Sequence, residues 1–99
     1  MIVVRNVFHL KFGKAREAVA VMKENLGIVS RIAPDMAGRL LTDVTGRHYT
    51  LVLEVTVANL ATWESAAPRV FGDQEFRATY EKMLPLVESG HREIFTVVE

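Results

Sequence analysis

Asn6 is the residue whose position in the sequence is hardest to explain by packing alone. It shares one face of segment 2–12 with Val4, Phe8 and Leu10. The β-branched and aromatic residues of this segment predict a strand, with this face under the helices. A buried amide costs about 1–3 kcal/mol unless it is hydrogen-bonded. Asn6 is therefore either a core amide that a helix satisfies, or an amide that faces a ligand in a cleft between sheet and helices.

Two aromatic side chains could complete such a cleft. Trp63 follows Leu60 at helical spacing, and Tyr80 follows Phe76 in the last helical stretch. Aromatic residues at this spacing usually pack a helix core, and that interpretation stays open beside the functional one. In the functional interpretation, Asn6, Trp63 and Tyr80 converge within contact distance and form a substrate-binding and catalytic site.

A second group of chemically capable residues lies on the opposite strand face. Arg5 and His9 share one face of the first strand, and Glu54 lies on the outward face of segment 49–57. One interpretation is a polar site in which His9 acts as a base near neutral pH, which makes His9 a weaker catalytic candidate. The other is an ion pair that fixes the register of a dimer, because buried charges need partners.

Alternation and helical spacing predict the four strands and three helices that would position these residues. A turn at Thr45-Gly46-Arg47 joins the two middle strands as a hairpin, with glycine where a positive φ is expected. The predicted strands are 2–12, 39–45, 49–57 and 91–99, and the helices begin near Lys14, Asn59 and Asp73.

Prolines and glycines set the predicted ends of the helices. Pro85 lies inside the third helical pattern and is predicted to break it near Leu84, because proline removes one backbone hydrogen bond. The other expected ends are Pro34 and Gly38 for the first helix, Pro68 for the second, and Ser89-Gly90 for the third.

The order of these elements predicts an α+β fold. Strand, helix, strand, strand, helices, strand is the split β-α-β pattern of a ferredoxin-like β-α-β-β-α-β sandwich. We expect one domain over residues 1–99, with an antiparallel four-stranded sheet and its helices on one face. The first and third strands are expected at the centre of the sheet, parallel to each other.

The sheet face away from the helices mixes valines with charges. Such a face is neither a good core nor a good solvent surface, and two copies stacked back to back would bury the valines and pair the charges. We therefore expect a homodimer whose interface includes Val3, Arg5, Val7, Val52 and Glu54.

The whole chain resembles the dimeric α/β-barrel superfamily, and within it the small NIPSNAP-like and antibiotic-biosynthesis-monooxygenase-like proteins. The resemblance rests on the residue types and their spacing in four segments: RNVFHLKFGKAREAV, YTLVLEVTVANLATWES, DQEFRATYEKMLPLVESG and HREIFTVVE. It implies a homodimer in which two four-stranded sheets face each other as an eight-stranded barrel.

The haem-degrading monooxygenases of this superfamily give the resemblance a possible chemistry. They use an Asn on strand one, a Trp after strand three and a His on the last helix. Asn6 and Trp63 match two of these positions, but Tyr80 stands where the pattern has histidine. Since tyrosine is a different iron ligand, the resemblance implies weak haem binding at best, and we expect no cofactor.

Composition limits the remaining classes of function and of binding partner. The 99 residues carry a formal net charge of +0 and no cysteine, which excludes disulfide frameworks and thiolate chemistry. His9, His48 and His91 have no metal-site spacing, so no metal site is expected. Balanced charge and the lack of an apolar run of about 18–20 residues argue against nucleic-acid and membrane partners. Arg5 and Asn6 interrupt the first apolar stretch, so a cytoplasmic protein is expected.

Two functional hypotheses follow from the sequence and the resemblance. The first is a small dimeric enzyme, such as a cofactor-independent oxygenase, or a binder of an aromatic or quinol-like small molecule. The second is a non-catalytic structural or binding homodimer whose cleft is filled by its own side chains. An open volume beside Asn6 favours the first hypothesis, and Trp63 packed into that space favours the second.

Overall fold

A computed structural model describes the backbone of residues 1–99 and every side chain except that of Ala37. Four strands form one sheet, and three helices cover one of its faces, as a ferredoxin-like α+β fold requires. The elements are β1 (Ile2–Leu10), α1 (Ala15–Ile32), β2 (Ala37–Thr42), β3 (Thr50–Val57), α2 (Leu60–Phe71), α3 (Gln74–Met83), a 3₁₀ turn (Leu84–Leu86) and β4 (Val87–Thr96).

The strand order is β2-β3-β1-β4, and every neighbouring pair is antiparallel. The expectation that the first and third strands run parallel is therefore wrong. The chain reverses three times between β1 and β3, which makes these central neighbours antiparallel. Asn6 faces Leu53 on β3 and Arg92 on β4 in this register, while Arg5 faces Glu54 and Glu93.

The predicted helix starts and the predicted break are confirmed. The side chain of Asn59 accepts a hydrogen bond from the Thr62 N–H at the start of α2, and Asp73 accepts one from the Phe76 N–H at the start of α3. Helix α3 ends at Met83, and the 3₁₀ turn around Pro85 leads into the last strand.

The prediction that Pro68 stops the second helix is wrong. Pro68 lies inside α2, which continues to Phe71. The carbonyl group of Glu64, which loses its helical partner, belongs to an exposed residue and can reach water. The carbonyl of Pro68 still accepts a hydrogen bond of 3.0 Å from the Gly72 N–H, so the helix closes one turn later.

Both ends of the last strand differ from the predicted range 91–99, since β4 runs from Val87 to Thr96. At its start, Ser89 and Gly90 lie inside β4 rather than closing a helix. A Cβ atom at Gly90 would approach the carbonyl oxygen of Val7 to 3.0 Å, which explains a glycine in the strand. Gly38 likewise lies within β2, where a Cβ would meet the Leu26 side chain at 2.7 Å. These glycines permit close approach of backbone and side chains rather than ending helices.

The two faces of the sheet are different environments. The inner face carries Val4, Leu51, Val55 and Val57, which are buried beneath the helices as the sequence predicts. The outer face carries Arg5, Glu54 and the other members of the predicted interface. Among the helices of the described chain, none is long and apolar enough to cross a membrane.

Candidate functional site

A cavity of about 130 Å³ lies between the inner sheet face and the helices. Its wall is mainly apolar and includes eight aromatic, amide or charged side chains besides the aliphatic ones: Asn6, Phe8, Asn25, Trp63, Phe71, Phe76, Tyr80 and Arg92. Trp63 forms part of the wall rather than filling the space. The three residues singled out from the sequence, Asn6, Trp63 and Tyr80, therefore line one cavity.

A cation that the sequence analysis missed joins two of these residues. The Nε–H group of Arg92 donates to Asn6 Oδ1 over 2.8 Å, and the guanidinium carbon lies 5.0 Å from the centre of the Trp63 ring. Arginine only donates, so the amide oxygen of Asn6 must face it and the amide nitrogen remains available as a donor. The amide thus holds a guanidinium group against an aromatic wall.

The helices contribute a second amide to the cavity. Asn25 on α1 donates through Nδ2 to the Thr79 hydroxyl on α3 over 2.8 Å, and that hydroxyl donates to the Phe76 carbonyl. Both Asn25 and Thr79 are 2% exposed. This bond connects the two helices that form one wall, so its polar groups stabilise the site as well as border it.

Aromatic rings form the outer rim of the cavity. The ring centres of Phe71 and Phe76 are 5.6 Å apart, and those of Phe76 and Tyr80 are 6.2 Å apart in a stacked arrangement. Phe71 and Tyr80 are about half exposed, at 47% and 49%. The rim therefore presents aromatic surface to the solvent as well as to the cavity.

The outer sheet face carries a row of alternating charges. Arg39 donates to Glu54 Oε1 from Nε and from a terminal nitrogen, over 2.9 and 2.7 Å. Arg5 lies between two carboxylates, 3.6 Å from Glu54 and 3.8 Å from Glu93, and His91 lies 3.2 Å from Glu93. The sequence prediction that Arg5 reaches Glu54 is confirmed, across antiparallel strands rather than parallel ones.

His9 lies on this outer face and does not line the cavity with Asn6. Its Nδ1 atom is buried without a hydrogen-bond partner, and its ring centre is 5.7 Å from that of His91. Burial first, and then the charges of Arg47 and His91, lower the pKa of His9 below its usual 6.5, while Glu88 acts in the opposite direction. The sequence places His9 on this same face, and its role as a base in a polar site there stays a prediction.

The cavity does not fit a haem group. Its volume of about 130 Å³ is close to that of a cavity that holds one benzene ring, about 150 Å³. Among the described side chains that line it, none is histidine, and the Tyr80 position is half exposed at the rim. No group of three or more potential metal ligands occurs among the described residues.

Arg92 and Asn25 were missed for identifiable reasons. The sequence predicts Arg92 in the final strand but gives no partner for that strand, so the position of Arg92 opposite Asn6 does not follow from it. Alternation with Ile94 would have placed it on the inner face. Asn25 follows Met22 by three residues within an apolar helix stripe, and a polar residue at such a position was the available signal.

Known structures share this arrangement of elements along almost the entire chain. A NIPSNAP domain protein from Burkholderia xenovorans superposes with a TM-score of 0.87 at 18% identity, covering 99% of this chain and 95% of its own. A NIPSNAP family protein from Agrobacterium tumefaciens gives 0.87 at 18% identity, with 99% and 93% covered. The chain has the NIPSNAP-type fold.

The same fold occurs in an oxygenase. SnoaB from Streptomyces nogalater, a cofactor-independent oxygenase, superposes with a TM-score of 0.75 at 15% identity, covering 99% of this chain and 93% of its own. No family model and no curated protein matches the sequence. The comparisons thus confirm the NIPSNAP-like and monooxygenase-like resemblance at the level of fold.

Proposed function

We propose that the chain binds a small planar aromatic or quinol-like molecule in the cavity between sheet and helices. The observation that carries this proposal is the unfilled volume of about 130 Å³ beside Asn6. Small-molecule sites are typically concave and apolar with a few placed polar groups, and this cavity has that composition. A non-catalytic homodimer with a self-filled cleft is the weaker alternative, because Trp63 lies in the wall.

The activity that best fits such a site is oxidation of an electron-rich ring without a cofactor. A hydroxylated ring that loses its proton can pass an electron directly to dioxygen. The free amide nitrogen of Asn6 and the guanidinium of Arg92 would bind the negatively charged oxygen that remains on the ring after its hydroxyl group loses the proton. Among the described side chains of the wall there is no carboxylate or imidazole, so the proton passes to water.

The proposal includes a homodimer joined through the outer sheet face. Supporting it are the charge row, the only partly buried Val3, and two buried polar atoms that lack hydrogen-bond partners, Arg5 Nε and His9 Nδ1. A second copy would supply groups for those atoms and cover Phe95, which is 50% exposed. A cytoplasmic location stays a prediction.

Titration with methylhydroquinone under argon tests the binding proposal. Trp63 is the only tryptophan, so its fluorescence reports on the cavity wall. We expect saturable quenching, and oxygen uptake when air is admitted. Ala67→Phe fills the cavity and should abolish binding, whereas Ala61→Phe at an exposed position of the same helix should not.

Asn6→Leu keeps the side-chain size and removes the amide. We expect about tenfold weaker binding, which corresponds to roughly 1.4 kcal/mol. Stability should change little because the hydrogen bond to Arg92 is exposed. If neither fluorescence nor calorimetry detects binding of hydroquinones to the wild type, the proposed function is wrong and the structural homodimer remains.

A further inference from the structure

An open cleft on the surface adjoins the cavity at Arg92. The two spaces share Phe71, Phe76, Tyr80 and Arg92, and the outer cleft adds Arg77 and Glu81. The outer cleft is larger, at about 420 Å³. A molecule in the inner cavity can therefore extend a substituent outward beside Arg92.

The inner volume limits what can lie inside. A cavity of about 150 Å³ lined by aliphatic and aromatic side chains holds one benzene ring. The 130 Å³ cavity thus accommodates a single ring, with further atoms placed in the outer cleft. A fused two-ring system would require the wall formed by Phe8 and Trp63 to move.

Arg92 is a cation without a counter-ion at the junction of the two spaces. Among the described residues, no carboxylate oxygen lies within 4.0 Å of Arg92, whereas Arg5, Arg31 and Arg39 have such partners. Its Nε–H group donates to Asn6, and its guanidinium carbon lies 5.0 Å from the centre of the Trp63 ring. The two terminal nitrogens remain as a paired donor set, which matches the two oxygens of a carboxylate.

We propose that the ligand is a monocyclic aromatic carboxylate whose ring enters the inner cavity and whose carboxylate binds the terminal nitrogens of Arg92. This inference rests on the proposed function and specifies its ligand class. Arg77 adds a second positive charge to the outer cleft, against one negative charge from Glu81. The net field at the mouth therefore attracts an anion, and the apolar wall behind Arg92 selects a ring.

Phenylacetate and its neutral isostere phenylacetamide separate the contribution of charge from that of shape. Binding to the intact protein is measured by Trp63 fluorescence and by calorimetry. We expect phenylacetate to bind at least tenfold more tightly than the amide near pH 7, and to weaken as salt is added. The larger 2-naphthylacetate should bind at least tenfold more weakly than phenylacetate.

Substitution of Arg92 tests the assignment of the anion to this side chain. Arg92→Gln should remove the preference for the acid and leave amide binding unchanged, and Arg92→Lys should retain only part of the preference because lysine lacks the paired nitrogens. Arg69→Gln, on an exposed residue that lines neither space, is the matched control. Circular dichroism verifies folding of each variant.

The outcomes distinguish this inference from the function on which it rests. A preference for the acid that survives Arg92→Gln, equal binding of acid and amide, or tight binding of 2-naphthylacetate overturns the ligand class, while the hydroquinone proposal can still hold. Absence of binding by every one-ring compound overturns both.

Discussion

The two faces of the sheet hold their arginines in different ways. On the outer face Arg39 and Arg5 each lie within 4.0 Å of a carboxylate, and Arg5 lies between two of them. On the inner face Arg92 is bound by the neutral amide of Asn6 and by the face of Trp63. The same residue type is thus neutralised on one face and held in position without neutralisation on the other.

This difference separates a structural use of charge from a ligand-binding one. Exposed ion pairs contribute about 0–1 kcal/mol each, so the outer row adds little stability, and its proposed role is in register and assembly. An amide positions a guanidinium without reducing its charge, which leaves its field for an incoming anion. Variants on each face therefore have different expected readouts.

Val52→Asp has the largest expected effect. Val52 is 6% exposed on the outer face, two residues from Glu54, so the new carboxylate would be buried without a partner. We expect the free energy of unfolding to fall by about 3–5 kcal/mol, and sedimentation to show monomer or aggregate instead of the proposed homodimer. Val44→Asp, at a 96% exposed position, is the control and should change neither. A wild type that sediments as a monomer at micromolar concentration contradicts the dimer.

Thr79→Val tests the buried hydrogen bond between Asn25 and Thr79, on the helix side of the sheet. The variant leaves Nδ2 of Asn25 without its partner in a position that is 2% exposed. We expect a loss of about 1–3 kcal/mol in urea denaturation, because an unpaired buried donor retains its desolvation cost. Asn25→Leu combined with Thr79→Val should recover part of the loss, and Thr45→Val in the exposed turn should have no effect. Equal losses in the single and double variants would contradict a coupled pair.

The pH dependence of stability has the smallest expected effect and tests the outer face. The pKa of His9 is lowered in the folded state, so the unfolded chain binds a proton more readily as the pH falls through about 6.5. The free energy of unfolding should therefore decrease from pH 7 downward, and the decrease should end only below the folded-state pKa. His9→Gln should reduce this slope relative to the wild type, while His48→Gln, at an exposed position, should not. If the slope is unchanged in His9→Gln, a group other than His9 causes the pH dependence of stability.

Local patterns were sufficient to predict most of the fold. The alternation around Asn6, the caps Asn59 and Asp73, and the break at Pro85 each depend on residues close in the chain, and the structure confirms them. Pro68 was misjudged because the effect of a helical proline depends on whether the freed carbonyl can reach water. That property depends on the tertiary arrangement of α2 and not on its local sequence.

Three members of the candidate site were predictable from the sequence, but the amide of Asn25 and the cation were not. Asn6, Trp63 and Tyr80 could be placed from periodicity on single elements, with the resemblance supporting the choice. Arg92 required the pairing of the first and last strands, which are 86 residues apart at this hydrogen bond. The sequence also predicts a helix end at Gly90, so it does not indicate that β4 begins at Val87.

The register of β4 decides the sign of charge at the cavity mouth. Alternate residues of a strand point to opposite faces, so a slip of one position against β1 would turn Arg92 outward and Glu93 inward. The cavity would then repel the anions that it is proposed to attract. The irregularity between His9 and Leu10, together with the close contact at Gly90, disfavours that slip. A glycine without functional groups thus helps to determine the charge at the cavity mouth.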